Sequence, residues 1–174
     1  MQNITKLLEG LPCEAADLKA NAVRVLGGES LNTIQTWGSA LAAAYFIREP
    51  VLISAILDDA KAAGLDESHI SDARGAAAIM GMNTVYFRFR HTMHSDVYNQ
   101  KAFNLRMMRM KEVATDQTHF ELYSIGPAAL ADCELCLKAH EAGVKKGGLS
   151  EDHVHDAVRI ASVLNGIAVA MGIT

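Results

Sequence analysis

Aromatic residues are scarce in this sequence, at 6% of 174 positions, although half of all residues are hydrophobic. A core must therefore be assembled from Ala, Leu, Ile, Val and Met. Proline is scarcer still, with three in the chain, and together with frequent Ala this favours helix over sheet. There is no excess of positive charge. A formal net charge of −4 and a pI near 5.9 remove any electrostatic reason to expect nucleic acid. No uninterrupted apolar run approaches the roughly 18 residues that span a bilayer, so no membrane span is expected. The first six residues, Met1 to Lys6, lack the charged-then-apolar layout of a secretory signal. Cysteine is limited to three, an odd number that does not make a disulfide scaffold. These absences point to a cytoplasmic protein, where a close cysteine pair serves catalysis or metal binding more readily than structure.

The length fits one domain, or two small halves sharing a core. Leu11-Pro12, Gly27-Gly28, Pro50, Gly64, Gly126-Pro127 and Gly147-Gly148 punctuate segments whose apolar spacing is mostly helical. Thr84–Arg90 alternates like a strand, yet it continues the Ala-rich run 73–80 without a break and is read as a helix end. An offset of 84 residues lays Gly64–Ile79 on Gly148–Val163 with seven of sixteen positions identical, and Lys61 on Lys145. Coincidence between two capped helices competes with duplication, and the matching His and Asp-Ala positions favour duplication. The expected fold is all-α, with two related helical halves. The same register places Cys133, Cys136 and His140 on Glu49, Leu52 and Ile56, so only the second half carries chemistry.

Cys133-Glu134-Leu135-Cys136 is the strongest local motif. Cysteines at i and i+3 on a helix face one way, close enough for a disulfide. Asp132 reads as the N-cap, which places the pair in a first turn where unpaired amides and the helix dipole stabilise a thiolate. Asp132 and Glu134 oppose that with negative charge. His140 shares the stripe, one turn beyond Cys136, and reads as a base acting first on that thiol; a surface histidine beside Glu141 is the plainer alternative. Thr118-His119-Phe120-Glu121 reads as a capping box, with Glu121 closing a helix start. The Cys, His and carboxylate set also admits zinc or iron, although a second Cys-x-x-Cys is missing. Cys13 reads as an ordinary cysteine and the eight methionines as core filler. His91, His94 and His119 have no ligand spacing.

Taken together, Phe120-Glu121-Leu122 followed by Cys133-x-x-Cys136-x-x-x-His140-Glu141 resembles the catalytic stretch of the alkyl hydroperoxidase D family, in the carboxymuconolactone decarboxylase-like superfamily. Gly75–Asn83 with Tyr86 and Arg88, and Trp37-Gly38, are similar as well. The resemblance covers essentially the whole chain. It implies a single helical domain over residues 1–174, with a non-catalytic half to about residue 90 and a redox half beyond it, assembled as a homotrimer or a multiple of one. It implies that Glu121, His140, Cys136 and Cys133 are catalytic: Glu121 connects through His140 to the thiols, Cys136 meets the oxidant and Cys133 closes the disulfide. No tightly bound cofactor is implied. Electrons would come from dihydrolipoyl groups on an acyltransferase recharged by a dihydrolipoamide dehydrogenase, and would pass to a peroxiredoxin or directly to a hydroperoxide. A member of that family carries a His immediately before the second cysteine; here that position is Leu135. A decarboxylase-like acid–base enzyme and a metal-binding structural protein are the alternative readings.

Overall fold

Residues 1–173 are described by a computed structural model, and no strand occurs among them. The chain forms α1 (Gln2–Glu9), α2 (Ala16–Leu26), α3 (Thr33–Ile47), α4 (Pro50–Ala62), α5 (Glu67–Met93), α6 (Asp96–Gln100), α7 (Gln117–Leu130), α8 (Glu134–Lys146) and α9 (Glu151–Met171). Short 3-10 turns at Cys13–Ala15 and Met108–Met110 interrupt the connections. The all-α expectation holds, and Thr84–Arg90 lies inside α5: its alternation reflects rings of Tyr86, Phe87 and Phe89 spread around a helix, not a strand.

Two helices form the centre. α3 is buried from Gln35 through Ala44 and α7 from Leu122 through Ala128. Small residues let them approach. A Cβ added at Gly38 would lie 2.1 Å from Tyr123 Cζ, and one at Gly126 would lie 3.5 Å from Ala43 Cβ. α5 and α9 flank both central helices, α4 packs on α3, and α8 packs on α7. Helix starts are set by side chains: Asn32 with Gln35 in a capping box, Asp66 accepting from the His69 amide, Asp116 accepting from the His119 amide, and His153 Nδ1 accepting from the Ser150 amide. The sequence reading of Thr118–Glu121 as a capping box is therefore corrected. Asp116 lies upstream and claims the free amide, leaving Glu121 one turn inside α7.

The connections into α3 and α7 are held by buried aspartates from the flanking helices. Asp72 on α5 accepts hydrogen bonds from the Ala114 amide at 2.8 Å, the Thr115 amide at 2.8 Å, the Thr115 hydroxyl at 2.7 Å and Arg109 Nη2 at 2.5 Å. Asp156 on α9 accepts from the Ser30 amide at 2.8 Å, the Ser30 hydroxyl, and Arg159 Nη1 at 2.8 Å. Burial pushes both carboxyls up, but these donors outweigh it and leave both below the ordinary aspartate value. By length and composition alone, α9 is long and apolar enough to cross a membrane. Here it contributes Ile160, Leu164 and Ile167 to the core, beside the polar Asp156.

Candidate active site

The turn between α7 and α8 carries the cysteine pair. Asp132 adopts a left-handed φ of 52°, a conformation Asp tolerates because its short side chain bonds locally. It is thus not the N-cap the sequence suggested; the sharp turn passes that position to Cys133, whose carbonyl receives the Leu137 amide at 2.9 Å. Cys133 and Cys136 are joined in a disulfide, with Cα atoms 5.2 Å apart, while Cys13 is free and exposed. Both sulfur-bearing residues are buried, at 1% and 5% exposure. Leu135, between them, is 42% exposed. Glu134 does not act as an uncompensated charge beside the pair: Lys138 pairs with it, His91 Nε2 lies 3.2 Å from it, and the Lys138 hydrogen bond holds its carboxyl below the usual range.

His140 lies on the inner face of α8 at 3% exposure, which settles against a surface histidine. Its Nδ1–H donates to Glu121 Oε2 at 2.5 Å, so Glu121 reaches the imidazole directly from the preceding helix. Gly143 makes room for this: a Cβ there would lie 2.7 Å from Glu121 Cγ. Burial pushes the Glu121 carboxyl up, but hydrogen bonds from His140 and from Gln117 Nε2 at 2.7 Å leave it below the ordinary glutamate value. The carboxylate is therefore ionised at neutral pH and fixes a proton on Nδ1. Nε2 lies 3.2 Å from the sulfur of Met80, and Met80 packs with Ala128, Cys133 and Cys136 in one buried cluster.

Cys136 and His140 also line a pocket of about 320 Å³, walled by Phe87, Met107, Met110 and Leu135, with Asn83 in its lining. Sequence reasoning took the methionines as core filler and gave Asn83 and Phe87 no role of their own at the site. Met80, Asn83 and Phe87 fall on one helical stripe at i, i+3 and i+7, a signal that one face of α5 meets something specific. Met107 and Met110 come from an irregular connection and left no such signal. On the far side of Glu121, a second cleft of about 780 Å³ is bordered by Lys111, Thr118 and Lys146. Among the described residues, no three His, Cys, Asp or Glu side chains converge as metal ligands.

Such an arrangement can hold a dithiol–disulfide couple, supply a buried imidazole with a fixed proton, and admit a small apolar molecule to one sulfur. Residues 99–173 match the carboxymuconolactone decarboxylase family. Over the whole chain, the sequence is 44% identical to the alkyl hydroperoxide reductase AhpD of Anaeromyxobacter sp. (strain Fw109-5), covering 98% of this chain and 92% of that protein. The protein of the same name from Coxiella burnetii (strain Dugway 5J108-111) is 40% identical over 91% of this chain and 90% of its own length. That from Solibacter usitatus (strain Ellin6076) is 35% identical over 98% and 96%. Likeness at this level, along nearly the full length and including the cysteine pair's own segment, makes this chain a member of the AhpD family.

Proposed function

We propose that the protein is an antioxidant thiol–disulfide oxidoreductase that reduces organic hydroperoxides through Cys133 and Cys136. The single observation carrying this is the pairing of a buried Cys133–Cys136 disulfide with an apolar pocket that reaches Cys136 beside His140. In the reduced state the first amides of α8 point toward the pair and stabilise a thiolate there. His140, held by Glu121, takes the Cys136 proton and later returns it to the leaving group. Leu135 offers no second imidazole, so the proton path rests on Glu121 and His140.

Dihydrolipoyl groups on a lipoylated acyltransferase, recharged by dihydrolipoamide dehydrogenase, are the electron source in this reading. A peroxiredoxin is a second electron acceptor, the assembly is a homotrimer or a multiple of one, and the setting is cytoplasmic. The names of the relatives above support the hydroperoxide part of this reading.

The test is NADH oxidation in a mixture of hydroperoxide, lipoylated carrier and its dehydrogenase, with and without this protein. Turnover that depends on all components is expected, and turnover unaffected by omitting the protein overturns the reading. Intact-mass analysis after mild peroxide should show loss of two hydrogens, mapped to Cys133 and Cys136 with Cys13 uninvolved. A bridge to Cys13, or a tightly held metal in place of a bridge, refutes it.

A further inference from the structure

Three buried side-chain polar atoms lack a hydrogen-bond partner among the described residues: Thr36 Oγ1, Ser39 Oγ and Asn83 Oδ1. The two hydroxyls sit on the central helix α3. Asn83 differs, because it lines the pocket that holds Cys136 and His140 and is only 3% exposed. Its Nδ2 lies 3.3 Å from the sulfur of Met110. A thioether accepts hydrogen bonds and cannot donate them, so the amide nitrogen belongs on the Met110 side and the oxygen is the open end. A buried amide oxygen without a donor is a rare and costly feature in a folded chain.

Of the polar groups in the lining, His140 is already engaged, through Nδ1 with Glu121 and through Nε2 with Met80, and is not bonded to Asn83. Phe87, Leu135 and Met107 are apolar or weakly accepting. A lone acceptor in an apolar wall, close to a sulfur nucleophile, selects a molecule with an O–H or N–H at its reactive end and an apolar remainder. A hydroperoxide, R–O–O–H, meets both demands, since the oxygen that bears hydrogen is the one a thiolate attacks.

We infer that Asn83 is a substrate-binding residue, its Oδ1 accepting a hydrogen bond from the terminal O–H of an organic hydroperoxide and so presenting that oxygen to Cys136. This rests on the peroxidase reading above. With the pair reduced, the Cys136 thiolate attacks the terminal oxygen; an S–O bond forms as the O–O bond breaks. Sulfur is oxidised by two electrons to Cys136–S–OH, and the peroxide is reduced to an alcohol whose alkoxide takes a proton from His140. The hydrogen held by Asn83 remains on the same oxygen throughout, so the amide orients and transfers nothing. Cys133 then displaces that oxygen, giving the disulfide and water.

The experiment uses the reduced full-length protein and two reagents at one pH. Cumene hydroperoxide carries the O–H donor; methyl methanethiosulfonate reports thiolate reactivity and has no donor. Asn83→Leu, close in shape, is expected to slow oxidation by cumene hydroperoxide about 10-fold, the loss of one hydrogen bond, while the methanethiosulfonate rate stays within about two-fold. Asn83→Ala repeats the deletion with a smaller side chain should leucine fail to pack. Asn83→Asp keeps an acceptor and, with its rate normalised to methanethiosulfonate, should retain the hydroperoxide reaction. If both reagents slow together in the deletions, or neither does, Asn83 is a structural amide and the inference is overturned. If the parent protein reacts with methanethiosulfonate but ignores hydroperoxide, the peroxidase reading itself fails and carries the inference down with it, an outcome visible before any variant is made.

Discussion

Helices α3, α4 and α5 begin at residues 33, 50 and 67, and α7, α8 and α9 begin at 117, 134 and 151, each 84 residues later. α4 and α8 even share their length of 13 residues. At matching positions the first group has Leu52 and Ile56, both fully buried, where the second has Cys136 and His140. Glu49 caps α4 with its side chain, where Cys133 caps α8 without one. Asp59, buried and bonded to the Asn3 and Ile4 amides, stands where Gly143 makes way for Glu121. Sulfur at 136 and imidazole at 140 thus occupy positions whose counterparts, Leu52 and Ile56, are buried as well. One group spends those positions on packing and on tethering α1; the other spends them on sulfur, imidazole and a space for a carboxylate.

Substituting the same position in both groups should separate the two uses. Cys136→Ser is expected to remove peroxide turnover down to background in the coupled NADH assay, with little change in melting. Leu52→Ala should do the reverse, costing about 2–5 kcal/mol of stability in denaturant titration with turnover per folded molecule retained. His140→Ala should lower the rate of thiol oxidation at pH 7 by about 10²–10⁴-fold, whereas Ile56→Ala affects stability alone. Partial recovery of His140→Ala at higher pH is expected, because solvent then deprotonates the thiol. A variant that keeps the parent's alkylation profile from pH 5.5 to 9.5 would show that His140 is incidental.

The buried aspartates allow a sharper comparison. Asp72 receives more donors than Asp156, and removing it strands Arg109 and two amides. Asp72→Ala should cost about 3 kcal/mol, against about 1–2 kcal/mol for Asp156→Ala, as read from denaturant midpoints. Both carboxyls are depressed in the folded protein. Their contribution is therefore complete above the ordinary aspartate range and is lost as pH falls below about 4; each Ala variant should show a flatter acid limb than the parent. Equal losses in the two variants would contradict the difference in donors. The smallest effect belongs to Glu121→Gln, roughly a 10-fold slower thiol reaction, because the amide still accepts from His140 but no longer as an anion. Since the Glu121 carboxyl also sits below its usual value, the parent should hold its advantage at neutral pH and lose it as acid protonates the carboxylate.

The sequence exposed the helices and the sulfur pair because both are local signals. Apolar spacing, capping residues and Cys-x-x-Cys all act within two turns of chain. What it hid depends on distant contacts. Glu121 and His140 are 19 residues apart, and Met80 and His140 are 60 apart; no periodicity predicts such meetings. Glu121 read as a cap because Thr118 stands three residues before it, while the actual cap, Asp116, lies two residues further upstream. Asp132 was misplaced for a similar reason: Asp serves equally well as an N-cap and in a left-handed turn, and only the path of the chain out of α7 decides between them. The pocket walls at Met107 and Met110 come from a connection without regular spacing.

Burial of the disulfide also bears on how other molecules reach it. Thiol–disulfide exchange needs the attacking sulfur to reach its target in line, and both target sulfurs lie beneath the surface while Leu135 faces outward between them. A hydrophilic thiol from solution therefore finds an apolar side chain, Leu135, at the surface and the sulfurs beneath it. An apolar reagent that fits the pocket beside Phe87 and Met107 has, on the proposed function, the shorter way to Cys136.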